Sequence, residues 1–345
     1  MPAIAAPAGA ASLSKMAPSD DEESEGDSED APTLKAPLRA RAGKPTVVEL
    51  FAGAGGMAVG LEQAGFEHVA LVERDRQAVR TLRRNGFKDV QYRDARDVDY
   101  SRWQGVDLVA GGPPCQPFSL GGVDGGDADP RDGWPTAARA VAEIRPRAFL
   151  FENVAGLARD KFEPYLESVL KRFYDLGYCV HVRLVDAADY GIPQHRRRML
   201  MVGFRGVHWF PRPPAAARHV TVGETFADLG PPNGKNGHAL HRVASRPYAG
   251  HTGSTLDKPA KTLTAGCNGP SGGSNMVQLA DGTCRYFTLR EQARLQSFPD
   301  WYKLHDTWSH GVKQLGNACP VKLAEVFGRA VLRVLDAQDA QDASS

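Results

Sequence analysis

Residues 46–57, TVVELFAGAGGM, decide how this chain is read. An apolar, β-branched run enters a turn with glycine at 53, 55 and 56, and helical spacing of apolar residues follows over 57–65. Glycine lets the backbone turn sharply and approach a ligand closely, and the helix start behind it presents unpaired amides. Glu73 closes the next apolar run, twenty residues after Gly53. An acid in that place can bind both hydroxyls of a ribose. Asp94, after the third run, is placed to accept from an adenine amino group. The region points to an adenosine-containing ligand, either a dinucleotide or S-adenosylmethionine. A tight turn with two solvated acids is the plainer alternative.

Outward from that stretch, 69–72, 106–110, 148–151, 179–185 and 199–204 read as strands, and segments near 75–85, 135–145 and 161–176 as helices. Such alternation predicts an α/β, doubly wound, mostly parallel sheet. Residues 206–287 break the pattern with 12 Gly, 8 Pro and five of the ten His. Too long for a plain loop, they are expected to form a small irregular second domain. Helical spacing returns at 289–295 and after Pro320. The expected domains are therefore 46–205, completed by 289–336, with 206–288 as the second unit. Residues 1–45 and 337–345 are expected to be disordered tails.

The net charge of +1 hides an asymmetry, because residues 20–30 hold eight acids while 46–345 hold 37 basic and 33 acidic groups. This mildly basic body permits a polyanionic partner without demanding one. No apolar stretch reaches 18 residues, so no membrane span is expected, and the N-terminus lacks the features of a secretory signal. Five scattered cysteines form no metal-type pair and read as reduced thiols of an intracellular, metal-free protein.

Three further motifs carry chemistry. GGPPCQPFS (111–119) follows the strand at 106–110. Two prolines stiffen the chain and present Cys115 at the carboxyl end of a strand, where open α/β sheets bind ligands, which is the placement of a nucleophile. The Gly/Asp-rich stretch 120–133 is expected to be mobile and able to close over the site. FENV (151–154) sets Glu152 at the end of a buried strand; a desolvated carboxyl there has a raised pKa and can donate a proton, whereas a solvated one is only a strand end. QHRRR (194–198) puts Arg196 and Arg198 on one face by period two, either as a solvated strand end or as a guanidinium pair holding a phosphate or carbonyl edge.

FAGAGG, GGPPCQPFS, ENV, QHRRR, REQARLQSFPD (290–300) and GNACPVKLAEVFGRA (316–330), in this order, resemble the 5-methylcytosine DNA methyltransferase family over most of residues 46–335. The resemblance implies an S-adenosylmethionine-dependent methyltransferase sheet with a small target-recognition domain at 206–288. It implies cofactor contacts from Phe51, Gly53, Ala54, Gly55, Gly56, Glu73, Asp94, Pro114 and Asn317. It makes Cys115 the nucleophile and Glu152 the residue contacting cytosine, with Gln194, Arg196 and Arg198 organising the pocket. Ser119, Lys258, Lys261 and Arg285 are expected to contact nucleic acid. Two departures stand out: His195 fills the variable position of QxRxR, and the stretch after Ser119 is Gly/Asp-rich where the family carries basic residues.

The chemistry implied is addition of a Cys115 thiolate to carbon 6 of a flipped-out cytosine, which lets carbon 5 take a methyl group. The expected partner is double-stranded DNA, and the expected state a monomer that works within a restriction-modification system or alone. A tRNA cytosine-5 methyltransferase, a non-catalytic DNA-binding relative and a nucleotide-dependent oxidoreductase are the alternatives.

Overall fold

A computed structural model describes residues 43–114, 132–241, 252–266 and 273–344. The expectations placed on 1–42, on Cys115 and Ser119, and on most of the 120–133 stretch lie outside the described residues. In chain order the main elements are β1 (Thr46–Leu50), α1 (Gly56–Ala64), β2 (Glu67–Glu73), α2 (Arg76–Arg84), β3 (Val90–Tyr92), β4 (Leu108–Gly111), α3 (Trp134–Ile144), β5 (Ala148–Val154), α4 (Glu163–Asp175), β6 (Tyr178–Asp186) and β7 (Arg197–Arg205). There follow α5 (Val222–Phe226), β8 (Met276–Gln278), β9 (Cys284–Tyr286), α6 (Leu289–Leu295), α7 (Trp308–Asn317) and α8 (Val321–Asp342).

Seven strands form one sheet in the order β3-β2-β1-β4-β5-β7-β6. The pairs from β3 through to β5 are parallel, whereas β7 runs antiparallel to both β5 and β6. The change of direction has a local cause: residues 187–196 join β6 to β7 with only a 3-10 turn, too short for the crossover that a parallel pair needs. The strand order reverses between β1 and β4, and the carboxyl ends of those two strands define the crevice in which such sheets bind ligands.

Both faces of the sheet are covered, so its strands read as continuous apolar runs. Val47, Leu108 and Leu150 pack with Leu61, Leu323, Phe327 and Val331 on the α1–α8 side. Val48, Leu50, Val109 and Phe151 pack with Trp134, Val141 and Phe173 on the α3–α4 side. Helices α1 and α8 approach closely because Gly60 faces Val321 and Ala324, with no room for a side chain. Within 206–288, α5 and the β8–β9 hairpin enclose a small cluster of Val222, Ala260, Leu263, Val277 and Phe287, shared with Leu295 of α6.

The tail expected at 337–345 is corrected. Helix α8 continues to Asp342, Gln338 Nε2 donates to the Arg205 carbonyl (2.9 Å), and Asp339 pairs with the buried Arg147 at 2.7 Å. Arg147 also reaches Asp107 and the Leu335 carbonyl. DAQDAQD reads as solvated because its role is to satisfy a buried cation, which leaves no apolar periodicity. Among the described residues no helix is long and apolar enough to cross a membrane.

Deleting residues 337–345 removes one partner of buried Arg147 and a cap on β7. We expect a loss of about 1–3 kcal/mol and a melting temperature lower by about 2–5 °C, read by scanning calorimetry. An unchanged transition would return the segment to the status of a tail.

Candidate active site

The turn after β1 is shaped by two glycines in the left-handed region, Gly53 (φ 54°) and Gly55 (φ 83°). A Cβ on Gly55 would meet Leu82 and the Tyr302 hydroxyl at 2.8 Å. Phe51 also has positive φ (55°), which for a bulky residue costs on the order of 1–3 kcal/mol. The Tyr302 hydroxyl donates to the Ala54 carbonyl (2.5 Å) and so clamps the turn from a residue 248 positions away. Gly55 caps α1, whose first residues, Gly56 and Met57, line the cavity of the site.

Glu73 holds this turn from the end of β2. Its Oε2 accepts from Gly53 N (2.7 Å) and its Oε1 from Asp75 N (2.6 Å). Each oxygen keeps an acceptor position, which suits a pair of ribose hydroxyls. Asp94 sits across the crevice with both oxygens engaged, Oδ1 by Arg96 N and Nε, and Oδ2 by Arg96 Nη2 and Arg74 Nη1. The Arg96 guanidinium holds the Asp94 carboxyl far below the usual carboxylate range. Four bonds use its four acceptor positions, so an adenine amino group would have to displace Arg74 or Arg96. Both arginine side chains are more than half exposed.

One cavity of about 1530 Å³ joins these residues to the second half of the site. Phe51, Gly53, Ala54, Gly56, Glu73, Asp94, Pro114 and Asn317 line it, as do Glu152, Arg196 and Arg198. The volume exceeds the roughly 300–1,000 Å³ of an ordinary small-molecule site and leaves room for a cofactor beside a base. Arg198 Nε lies 2.6 Å from Glu152 Oε1, with both side chains 11% exposed. The carboxyl is therefore buried, as expected, but paired with a cation that offsets the cost of burying its charge.

The chain that leads to Cys115 is anchored here. Asn153 Nδ2 donates to the Pro113 carbonyl (3.1 Å), and Gly133 N donates to the Pro114 carbonyl (3.1 Å). Gly112 runs so close to β5 that a Cβ on it would lie 3.6 Å from Glu152 Oε2. The anchoring role of Asn153 was not read from the sequence, although ENV contains it; an amide behind a Pro-Pro pair that lacks donors was the available signal. Tyr302 left no comparable signal. The remaining described thiols, Cys179, Cys284 and Cys319, are all pushed up by burial and are poor nucleophiles. Cys267 lies outside the described residues.

The two arginines of QHRRR separate in role. Arg196 is fully buried and donates to the carbonyls of Leu263 (2.9 Å), Gly316 (2.8 Å) and Ala318 (3.0 Å). It holds main-chain carbonyls instead of a ligand phosphate, which corrects the expected ligand-facing pair. Gln194, also buried, accepts from Leu263 N (2.8 Å) and donates to the Leu295 carbonyl (3.1 Å). Asn317, next to Gly316, is exposed toward the cavity.

Of the proposed nucleic-acid contacts, Lys258 and Lys261 are exposed, the latter donating to Thr252 Oγ1. Arg285 is corrected: it forks onto both oxygens of Glu291 at 2.7 and 2.6 Å, its side chain 14% exposed, and belongs to the cap of α6. Among the described residues, no group of three His, Cys, Asp or Glu side chains converges as a metal site.

A sheet of this order, with a Gly-rich turn and an acid closing β2, has the fold of solved methyltransferases. EhMeth of Entamoeba histolytica superposes with a TM-score of 0.67 at 15% identity, covering 85% of this chain and 99% of that one. The Dnmt2 methyltransferase of S. pombe gives 0.64 at 19% identity over the same shares. The model of the family C-5 cytosine-specific DNA methylase matches residues 45–229 and 232–333, and the chain belongs to that family. Type II methyltransferase M.NgoMIV of Neisseria gonorrhoeae is 37% identical over 306 residues, covering 84% of this chain and 98% of that protein. Type II methyltransferase M.AplI of Arthrospira platensis is 35% identical over 303 residues, covering 84% and 86%.

Arg196→Lys tests the buried guanidinium. One ammonium cannot fork to carbonyls on two segments, and each buried carbonyl left unpaired costs about 1–3 kcal/mol. We expect a loss of about 2–4 kcal/mol in urea unfolding; wild-type stability would show the three bonds to be dispensable.

Proposed function

We propose that this member of the family is an S-adenosylmethionine-dependent DNA (cytosine-5-)-methyltransferase that acts on a flipped-out cytosine within a specific duplex sequence through a covalent Cys115 adduct. The observation that carries the reading is that the Glu152–Arg198 pair and the Glu73-bound glycine turn line one cavity, with Pro113 anchored to β5 two residues before Cys115. The description of the family, C-5 cytosine-specific DNA methylase, supports DNA as substrate, and a partner restriction enzyme is consistent with the Type II methyltransferase names of the relatives.

The residues fit the cofactor. The glycine turn, the free acceptor positions of Glu73, Asp94 once an arginine yields, Pro114 and Asn317 would hold it. When bound, it supplies an electrophilic methyl group on a sulfonium sulfur. The chain's own work falls on cytosine. The Cys115 thiolate forms a bond to carbon 6, and the ring electron pair moves to carbon 5. Glu152 donates toward ring nitrogen 3, and Arg198 stays beside the carboxylate that results. After carbon 5 is methylated its proton passes to solvent water and the ring double bond re-forms. The Cys115–carbon 6 bond breaks with its electron pair leaving on sulfur as the thiolate, and ring nitrogen 3 returns its proton to the Glu152 carboxylate. A stacked base is out of reach of Cys115, so the cytosine leaves the duplex at a cost of a few kcal/mol. Reading of the flanking bases is assigned to 206–288, with Lys258 and Lys261 as contacts and Ser119 beside the nucleophile.

A duplex carrying 5-fluorocytosine in the recognition site tests the adduct. With S-adenosylmethionine it should trap the protein covalently at Cys115, since fluorine does not leave as a proton does. Trapping should vanish in Cys115→Ala, and an adduct on any other cysteine would overturn the assignment. Substituting tRNA for the duplex tests the RNA alternative in the same assay.

Glu152→Gln keeps the shape but removes the donated proton. Turnover should fall by about 10²–10⁴-fold, with duplex affinity nearly unchanged in a filter-binding titration. Near-normal turnover would reduce Glu152 to a structural partner of Arg198.

A further inference from the structure

Glu49 and His68 carry no role in the chemistry above, yet Glu49 lines the cofactor half of the cavity and His68 lies behind it. Glu49 lies on β1, two residues before Phe51, is 1% exposed and contributes to the cavity lining. Its Oε2 is 3.0 Å from Nε2 of His68, itself 9% exposed, on β2. No described lysine or arginine pairs with Glu49; its only ion-pair contact is His68. The other imidazole nitrogen, Nδ1, is buried without a hydrogen-bond partner and lies 4.0 Å from Glu62 of α1. Phe87 closes the far side of the ring, edge-on at 6.0 Å. An unpartnered Nδ1 fits the neutral ring whose Nε2–H donates to a carboxylate. Such a dyad leaves one buried negative charge that lines a cavity and lacks a cation.

We infer that His68 is a positioning residue for the cofactor, holding Glu49 as the carboxylate that receives the cationic part of S-adenosylmethionine. The inference rests on the reading that the cavity takes this cofactor.

The other groups that act on Glu49 oppose the carboxylate or are remote from it. Burial pushes the Glu49 carboxyl above the usual carboxylate range, and Glu62 of α1 and Glu73 of β2 push the same way. His68 is what pulls it back, chiefly through its hydrogen bond to the carboxyl. Tyr302 and Cys319 also face Glu49, both held protonated by burial, and Lys44 acts on Glu62. The sign follows. A cation favours the carboxylate, so cofactor affinity is present above the Glu49 pKa and is lost as pH falls through it. Removing His68 raises that pKa further and moves the loss toward neutral pH.

Calorimetric titration of S-adenosylmethionine between pH 5.5 and 8.5, on the full chain and three variants, tests this. Glu49→Gln should bind about ten-fold more weakly at pH 8 and show a flatter pH profile than wild type. His68→Leu should match wild type at the alkaline end but lose about ten-fold by pH 7. His68→Gln, whose amide still donates, should recover most of that loss. Thermal melts establish that each variant is folded; if His68→Leu is not, the Glu49→Gln profile decides. Wild-type affinity in Glu49→Gln, or an unmoved profile in folded His68→Leu, would overturn the inference. A failure of the wild-type chain to bind S-adenosylmethionine would instead overturn the cofactor reading beneath it.

Discussion

The buried guanidinium of Arg196 is the constraint on which the site depends. A charge with essentially no exposure is costly unless each donor is matched. Here the two terminal nitrogens are matched by carbonyls at Leu263, Gly316 and Ala318, from two segments far apart in the sequence, while Nε stays buried without a partner. Burial and the nearby Arg198 pull the pKa of Arg196 down, but the acceptors favour the charged form. The arginine therefore ties the start of β7 to the irregular segment and to the loop before α8 at once. Gln194 and Gln296 extend the tie, with Gln194 Nε2 donating to Leu295 O and Gln296 Nε2 to Leu315 O. Asn317, which lines the cavity, and the 252–266 stretch are held in place by the same few bonds.

The second half of the frame is steric. The glycine turn can exist only because nothing larger fits between it and the elements that return at the end of the chain. Gly55 lies against Tyr302, Gly56 against the Cys319 carbonyl, and Gly60 against the start of α8. This side of the cavity is thus assembled from residues 49–94 and 302–319, which become neighbours only after folding. Glu73, Asp75 and Lys313 add a polar seam along it, with Lys313 Nζ 3.0 Å from Asp75 Oδ2. On the other wall, Glu152 and Arg198 face each other across the antiparallel β5–β7 pair, where Val154 and Arg198 are register partners. The late reversal of strand direction therefore brings the arginine beside the carboxyl.

Much of this was legible in the sequence because the signals are local. Continuous apolar runs, the glycine spacing at 53–56 and the acid twenty residues on depend on neighbours within one β-α-β unit. Strands β1, β2, β4 and β5 formed where the runs predicted, whereas the three-residue edge strand β3 had no run to mark it. The motifs GGPPCQPFS, ENV and QHRRR likewise mark strand ends, whose position in an open sheet follows from topology alone. What the local pattern could not carry was which polar groups spend themselves on one another. Arg285 looked available for phosphate until Glu291 closed on it, the arginines of QHRRR looked equivalent until one was buried, and DAQDAQD looked like a tail until Arg147 needed a partner. The sequence by itself determined the α/β class, the order of elements and the residue types at the crevice, because these follow from periodicity and backbone freedom. Only the tertiary structure decided which charges remain available to a ligand, because pairing and desolvation depend on which groups the folded chain brings into contact, whether near in sequence as Arg285 and Glu291 or distant as Arg147 and Asp339.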